Sequence, residues 1–176
     1  MAVLDIVTVP NDVLRNRTQK IVSFDNKFKK LVDDMIDTLR DAPGVGLAAP
    51  QVGISKKLII VEYAEEFEDE NGEVQEGPKK LYVVANPEIV KKSAEMEVGI
   101  EACLSVPNLI GDVERHLQIV VKGQNKNGQP IRIKAKGWLA RIFQHEIDHL
   151  NGVLYTDLAE HVWQPETEEE FLKAES

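Results

Sequence analysis

A single cysteine and no apolar run approaching the ~20 residues of a bilayer span set the first limits on this 176-residue chain. With one thiol no intramolecular disulfide forms, so Cys103 is left as a core residue, a nucleophile or a ligand. Positive charge is also short: 21 Lys and Arg stand against 30 Asp and Glu. The net charge of −9 argues against a broad electrostatic grip on nucleic acid, so no direct nucleic acid binding is expected. The N-terminus lacks both a basic n-region with an apolar h-region and the Arg/Ser-rich character of a transit peptide. The expectation is a cytoplasmic protein with no membrane association. What remains is ordinary globular composition, 43% hydrophobic and 29% charged, without a repeat or low-complexity linker. A chain of this length buries roughly two-thirds of its unfolded surface as one domain. Much of the acid lies in residues 62–76 and 165–176, which read as solvated loop and terminus.

Over residues 25–39, Phe28, Leu31, Val32, Met35, Ile36 and Leu39 follow the spacing of an amphipathic helix, stopped by Pro43 and Gly44. Residues 58–61, 81–84, 118–121 and 131–134 read as strands, the last two as a hairpin around Asn125 to Gly128. A second helical pattern covers residues 137–150 and meets a left-handed stop at Asn151-Gly152. The order predicts an α+β fold, with the second helix packed on mostly antiparallel sheet and an amphipathic helix near the N-terminus.

That second helix contains His145-Glu146-Ile147-Asp148-His149, an H-E-x-x-H pattern. Four residues exceed one helical turn only slightly, so both imidazoles project from one face and suit a single metal ion. Trp138, Ile142, His145 and His149 share the buried stripe, where two histidines require a polar partner or a metal. Glu146 lies about a hundred degrees round the helix, within reach of a metal-bound water without itself being a ligand. A catalytic site of this type takes three protein ligands. Tyr155 stands where the extended H-E-x-x-H-x-x-G-x-x-H endopeptidases place their third histidine. The downstream glutamates Glu160, Glu166, Glu168, Glu169 and Glu170 sit near a short terminus, and His116 and His161 are outside any ligand spacing. Cys103 is the remaining candidate.

Its surroundings, Glu101-Ala102-Cys103-Leu104-Ser105, resemble the E-G-C-L-S motif of the peptide deformylase family. Gly44-Val45-Gly46-Leu47-Ala48-Ala49-Pro50-Gln51 is similar to that family's G-x-G-L-A-A-x-Q, and Gln144 to Leu150 to its Q-H-E-x-D-H-L. Three motifs in the same order are far more specific than any one of them. The resemblance implies removal of the N-formyl group from the initiator methionine of new polypeptides, with release of formate. It implies one divalent metal ion on Cys103, His145 and His149, namely Fe(2+) in the cell, with Zn(2+), Ni(2+) or Co(2+) in preparations. A metal-bound hydroxide would attack while Glu146 shuttles the proton, and Gln51 and the Leu104 N–H would stabilise the developing oxyanion. Val45 and Gly46 would meet the substrate backbone, and Val45 and Ile142 its methionine side chain. Implied partners are N-formylmethionyl nascent peptides, with transient proximity to the ribosome. Two departures stand out: Ala102 replaces the usual glycine, and the tail is acidic where some relatives carry a basic docking helix. The expected organisation is a catalytic domain over residues 1–160 and an acidic tail over residues 161–176, able to form a short helix. An H-E-x-x-H endopeptidase and a non-catalytic metal-binding module are the competing readings.

Overall fold

A computed structural model describes residues 2–175; Met1 and Ser176, the outer ends of the expected domain and tail, lie outside the described residues. The first helix, α1 (Asn26–Asp41), starts where the Asp25 carboxylate accepts from Phe28 N at 2.9 Å, an N-cap that satisfies one of the free amides of the first turn. It leads through Pro43 to a short strand, β1 (Gly46–Ala48), and a 3-10 turn over Ala49–Val52. Strands β2 (Leu58–Tyr63), β5 (Lys80–Lys92), β8 (Gln118–Gln124) and β9 (Pro130–Lys136) complete a five-stranded antiparallel sheet in the order β1-β2-β5-β8-β9. Between β2 and β5, β3 (Glu66–Glu68) and β4 (Val74–Glu76) form a hairpin, so the acidic stretch expected as a loop is partly strand. Its exposed backbone is tied locally, with the Asp69 carboxylate accepting from the amides of Asn71 and Glu73.

The period-2 rule explains how β2 binds two layers. Leu58 and Ile60 face α1 with Phe28, Val32, Met35 and Leu39, whereas Ile59 and Val61 face the other way. On that second side lies α2 (Gly137–Leu150), which buries Leu139, Ala140, Phe143, Ile147 and Leu150 against the sheet. A strand buried on both faces reads as a continuous apolar run, as Leu58 to Val61 does. β9 passes directly into α2 at Gly137, whose φ of 60° suits glycine at so sharp a change of direction. At the far end Gly152, with φ 73°, ends the helix, and any Cβ there would collide with the Arg15 carbonyl.

The small sheet was not anticipated. Strands β6 (Met96–Cys103) and β7 (Val106–His116) pair as a hairpin and, with β10 (Val162–Trp163), make a three-stranded antiparallel sheet ordered β10-β7-β6. β6 inverts the usual pattern, exposing Val98 and Ile100 while burying Glu101, so apolar alternation could not place its inner face. A one-turn helix, α3 (Tyr155–Leu158), joins α2 to β10, and α4 (Glu168–Glu175) follows, lying against β6 and β7. The order of layers is therefore α1, large sheet, α2, small sheet. This is an α+β fold with mostly antiparallel sheets, as expected from the sequence, and α2 is its centre. No helix among the described residues is long and apolar enough to cross a membrane.

Candidate metal centre

α2 presents two stripes. While its apolar side enters the large sheet, Arg141, Gln144, His145 and Asp148, at i, i+3, i+4 and i+7, meet β6 and β7. Gln144 fixes the docking: its Nε2 donates to the His116 carbonyl at 2.8 Å and its Oε1 accepts from the His116 amide at 3.0 Å. Both backbone groups at the end of β7 are thereby satisfied inside the protein.

Cys103 comes from the last residue of β6, just before the two-residue turn Leu104-Ser105. A register shift between Glu101 and Cys103 marks a bulge at Ala102. Ala102 is not among the residues with positive φ, so the alanine in place of glycine adopts ordinary backbone, and it lines the cleft. Cys103, His145 and His149 are all buried, and their ligand atoms lie within 4.8 Å of one another. The Cys103 Sγ is 3.3 Å from His149 Nε2. His145 Nδ1 is 2.8 Å from Glu101 Oε1; as a donor to that carboxylate it leaves Nε2 for the cluster. One thiol and two imidazoles, with one ring oriented by a carboxylate, fit a borderline transition metal such as zinc or ferrous iron. His116 and His161 lie elsewhere, bonded to the Ser93 carbonyl and the Asp112 carboxylate respectively.

Glu101 is the electrostatic hub. It accepts from Arg115 Nε and Nη2, each at 2.9 Å, and from Arg141 Nη1 at 2.7 Å, in addition to His145. Burial works to raise its pKa, but the hydrogen bonds and charges of Arg115 and His145 hold it well below the usual carboxylate range. Arg115 also donates to Asp148 at 2.5 Å, and Arg141 to the Val113 and Glu97 carbonyls. Gly99 makes room for this arrangement: a Cβ there would stand 2.7 Å from the Arg141 guanidinium carbon. Among the protein groups alone, burial opposes charge on both imidazoles. Cys103 and Glu101 nonetheless lift His145, while burial and the neighbouring charges of His145 and Arg115 push His149 down.

Glu146 is different. It is buried, its Oε1 has no protein hydrogen-bond partner, and burial together with the charge of Glu101 pushes its pKa up to about 7. Its carboxylate lies against Gly46 in β1, where an added Cβ would be 2.6 Å from Oε2. Gln51 is set by the 3-10 turn: its Oε1 accepts from Ala48 N at 2.9 Å, so the amide NH2 faces Cys103 Sγ at 3.6 Å and Ser105 Oγ at 3.2 Å. Val45, Gly46, Gln51, Leu104, Ile142 and Glu146 all line one cleft, with Cys103 and His145 in its wall and His149 behind them. The fold thus brings together all nine residues singled out from the sequence. Glu101 and Asp148 stood inside the quoted motifs without an assigned part. Ser105 likewise stood inside a quoted motif, whereas Arg115 and Arg141 carried no signal of their own, although the spacing of 141, 144, 145 and 148 was a readable one.

A buried thiol and two imidazoles within reach of one ion, beside an unpartnered carboxylate that opens on the cleft, make a site suited to single-metal hydrolysis. The polypeptide deformylase family model matches residues 3–164. A peptide deformylase of Symbiobacterium thermophilum is 47% identical over 89% of this chain and 67% of its own length. Peptide deformylase 1 of Bacillus subtilis is 46% identical over 89% of each chain. The crystal structure of the Thermotoga maritima peptide deformylase matches with a TM-score of 0.79 and 37% identity, over 92% of this chain and all of that one. An Acinetobacter baumannii peptide deformylase solved with Met-Ala-Ser bound matches with a TM-score of 0.78 and 37% identity, over 89% of this chain and 98% of that one. The chain belongs to the peptide deformylase family and is an enzyme of that family.

Proposed function

We propose that the chain hydrolyses the N-formyl group from the terminal methionine of newly made polypeptides, releasing formate and a free amine. The observation that carries this reading is the convergence of Cys103, His145 and His149 within 4.8 Å beside the unpartnered carboxylate of Glu146. Cys103 Sγ and one nitrogen each of His145 and His149 would hold the ion, which would be Fe(2+) in the cell and Zn(2+), Ni(2+) or Co(2+) in some preparations. When bound, such an ion supplies Lewis acidity, bringing the pKa of a water towards about 7 and polarising the formyl carbonyl.

The protein groups supply the rest. Glu146, whose pKa burial pushes up to about 7, passes readily between its two protonation states at neutral pH. It takes a proton from the attacking water and returns it to the departing amine. Gln51 Nε2, aimed by the Ala48 amide, and the backbone N–H of Leu104 donate to the formyl oxygen as it gains charge. A donor of this kind contributes about 3 kcal/mol in the transition state. β1 is an edge strand, so the peptide backbone pairs beside Val45 and Gly46, giving affinity that is independent of its sequence. Val45 and Ile142 form the apolar wall for the methionine side chain. The A. baumannii relative with Met-Ala-Ser bound supports a methionyl peptide as ligand. The enzyme works in the cytoplasm on nascent chains, in transient proximity to the ribosome.

The test is anaerobic purification followed by metal analysis and a formate assay with formyl-Met-Ala-Ser on the same sample. Formate release that scales with metal content is expected. Cleavage of an internal peptide bond without formate would establish the endopeptidase reading instead.

A further inference from the structure

The family match ends at residue 164, yet the chain continues into α4, and α4 reaches the cleft. The tail is anchored in steps. β10 pairs with Gly111 and Ile110 of β7, and the Asp112 carboxylate accepts from His161 N. Thr167 Oγ1 then accepts from Glu170 N at 3.1 Å, while the Glu170 carboxylate reaches back to Glu166 N at 2.9 Å. This is the reciprocal logic of a capping box, and three glutamates in the first turn suit the positive end of the helix dipole. At the other end of α4, Ala174 is 7% exposed and lines the same cleft as Leu104, His145 and Glu146.

With α4 in place, the cleft's free volume is about 50 Å³. That accommodates one or two waters, whereas pockets that take a ligand measure about 300–1,000 Å³. A helix of eight residues is far below the ~12–15 needed for stability by itself, so α4 depends on its caps and on its packing against β6 and β7. Glu168, Glu169, Leu172 and Lys173 are exposed, and a short segment so open to solvent near a chain terminus lies at the low end of local stability. We propose that α4 is an intrachain lid, which closes the cleft through Ala174 and swings off β6 and β7 when a formylated peptide enters. The proposal rests on the deformylase reading of the cleft. The lid lowers apparent affinity by the fraction of time it is shut: if it is open about one-tenth of the time, KM is raised about tenfold.

The experiment uses the full-length, metal-loaded protein and two variants. Thr167→Ala with Glu170→Ala weakens the start of α4 without touching the cleft, and Ala174→Arg prevents its buried end from seating. With formyl-Met-Ala-Ser, the first variant should lower KM by about five- to tenfold and leave kcat unchanged. In the unaltered protein, hydrogen exchange of the amides of residues 168–174 should accelerate when Met-Ala-Ser is added. In Ala174→Arg it should be fast from the outset. An unchanged or raised KM in the capping variant, with exchange indifferent to the peptide, overturns the lid and makes α4 an inert or supporting wall. If the unaltered protein releases no formate, the function itself is at fault; the exchange measurement still reports separately whether the peptide displaces α4.

Discussion

Replacing Glu101 by glutamine tests whether the charge network behind the metal cluster supports both the fold and the site. The carboxylate accepts four hydrogen bonds: Oε1 from Arg115 Nη2 and His145 Nδ1, Oε2 from Arg115 Nε and Arg141 Nη1. In either orientation of the new amide, its NH2 confronts two donors, so two bonds become close donor–donor contacts. Of the two arginines, both 5% exposed, Arg115 keeps Asp148 as a carboxylate partner, whereas Arg141 keeps only the Val113 and Glu97 carbonyls. Breaking a buried ion pair from one side costs about 3–5 kcal/mol. Typical domains have about 5–15 kcal/mol of stability in total, so this is a large share. For a chain of this size the loss corresponds to a fall in Tm of roughly 6–20 °C. Removing the partner that orients a ligand histidine also weakens metal affinity by about ten- to a hundredfold. Thermal unfolding and retention of metal during dialysis against a chelator measure the two effects separately. A Gln variant with unaltered Tm and unaltered chelator resistance would refute the argument that Glu101 neutralises the arginines and aims His145.

Glu146→Gln should keep its metal while turnover drops by about a hundredfold or more, because a proton carrier is lost and no ligand is; near-normal formate release from the metal-replete variant contradicts its role. Gly46→Ala forces the Glu146 carboxylate away from a Cβ that would lie 2.6 Å from Oε2. Displacement by about 1 Å predicts a loss near a hundredfold at unchanged metal content, and full activity would mean that the carboxylate position does not matter. Cys103→Ala should lose metal to a chelator along with activity; full occupancy places the third ligand elsewhere. His161, 3.0 Å from Asp112, has its pKa raised above 6.5, first by that hydrogen bond and then by the carboxylate's charge. The folded-state value is the higher one, so the stabilisation is complete below the ordinary pKa and fades as pH rises through the folded value. An NMR titration of His161 should show the raised pKa in the native protein and its return towards 6.5 in Asp112→Asn.

Much of the fold and of the candidate site could be read before any coordinates. Residues 25–39 and 137–150 carried helical periodicity, and the helices occupy Asn26–Asp41 and Gly137–Leu150. The strand readings at 58–61, 81–84, 118–121 and 131–134 fall inside β2, β5, β8 and β9. The small sheet escaped because β6 turns Val98 and Ile100 outward and Glu101 inward, against the alternation from which strands are recognised. Residues 62–76 looked like solvated loop because composition reports solvation; that Glu66–Glu68 pairs with Val74–Glu76 depends on the Asp69 turn between them.

What the sequence determined by itself is whatever has a period or a short fixed spacing. The two imidazoles on one helical turn, the glycines at the strand-to-helix junction and the helix end, and the alternation along β2 are local consequences of backbone geometry. The three ordered motifs are local in the same sense, and they sufficed to indicate the family. Tertiary structure alone decided which distant groups meet. Glu101 joins Arg115, 14 residues away, Arg141, 40 away, and His145, 44 away, and no periodicity links such separations. The pKa of Glu146 is raised because α2 is enclosed between two sheets, and Ala174 joins the wall of the cleft because α4 folds back onto β6 and β7. Burial and charge compensation arise when separate layers close on one another, so no single segment carries them.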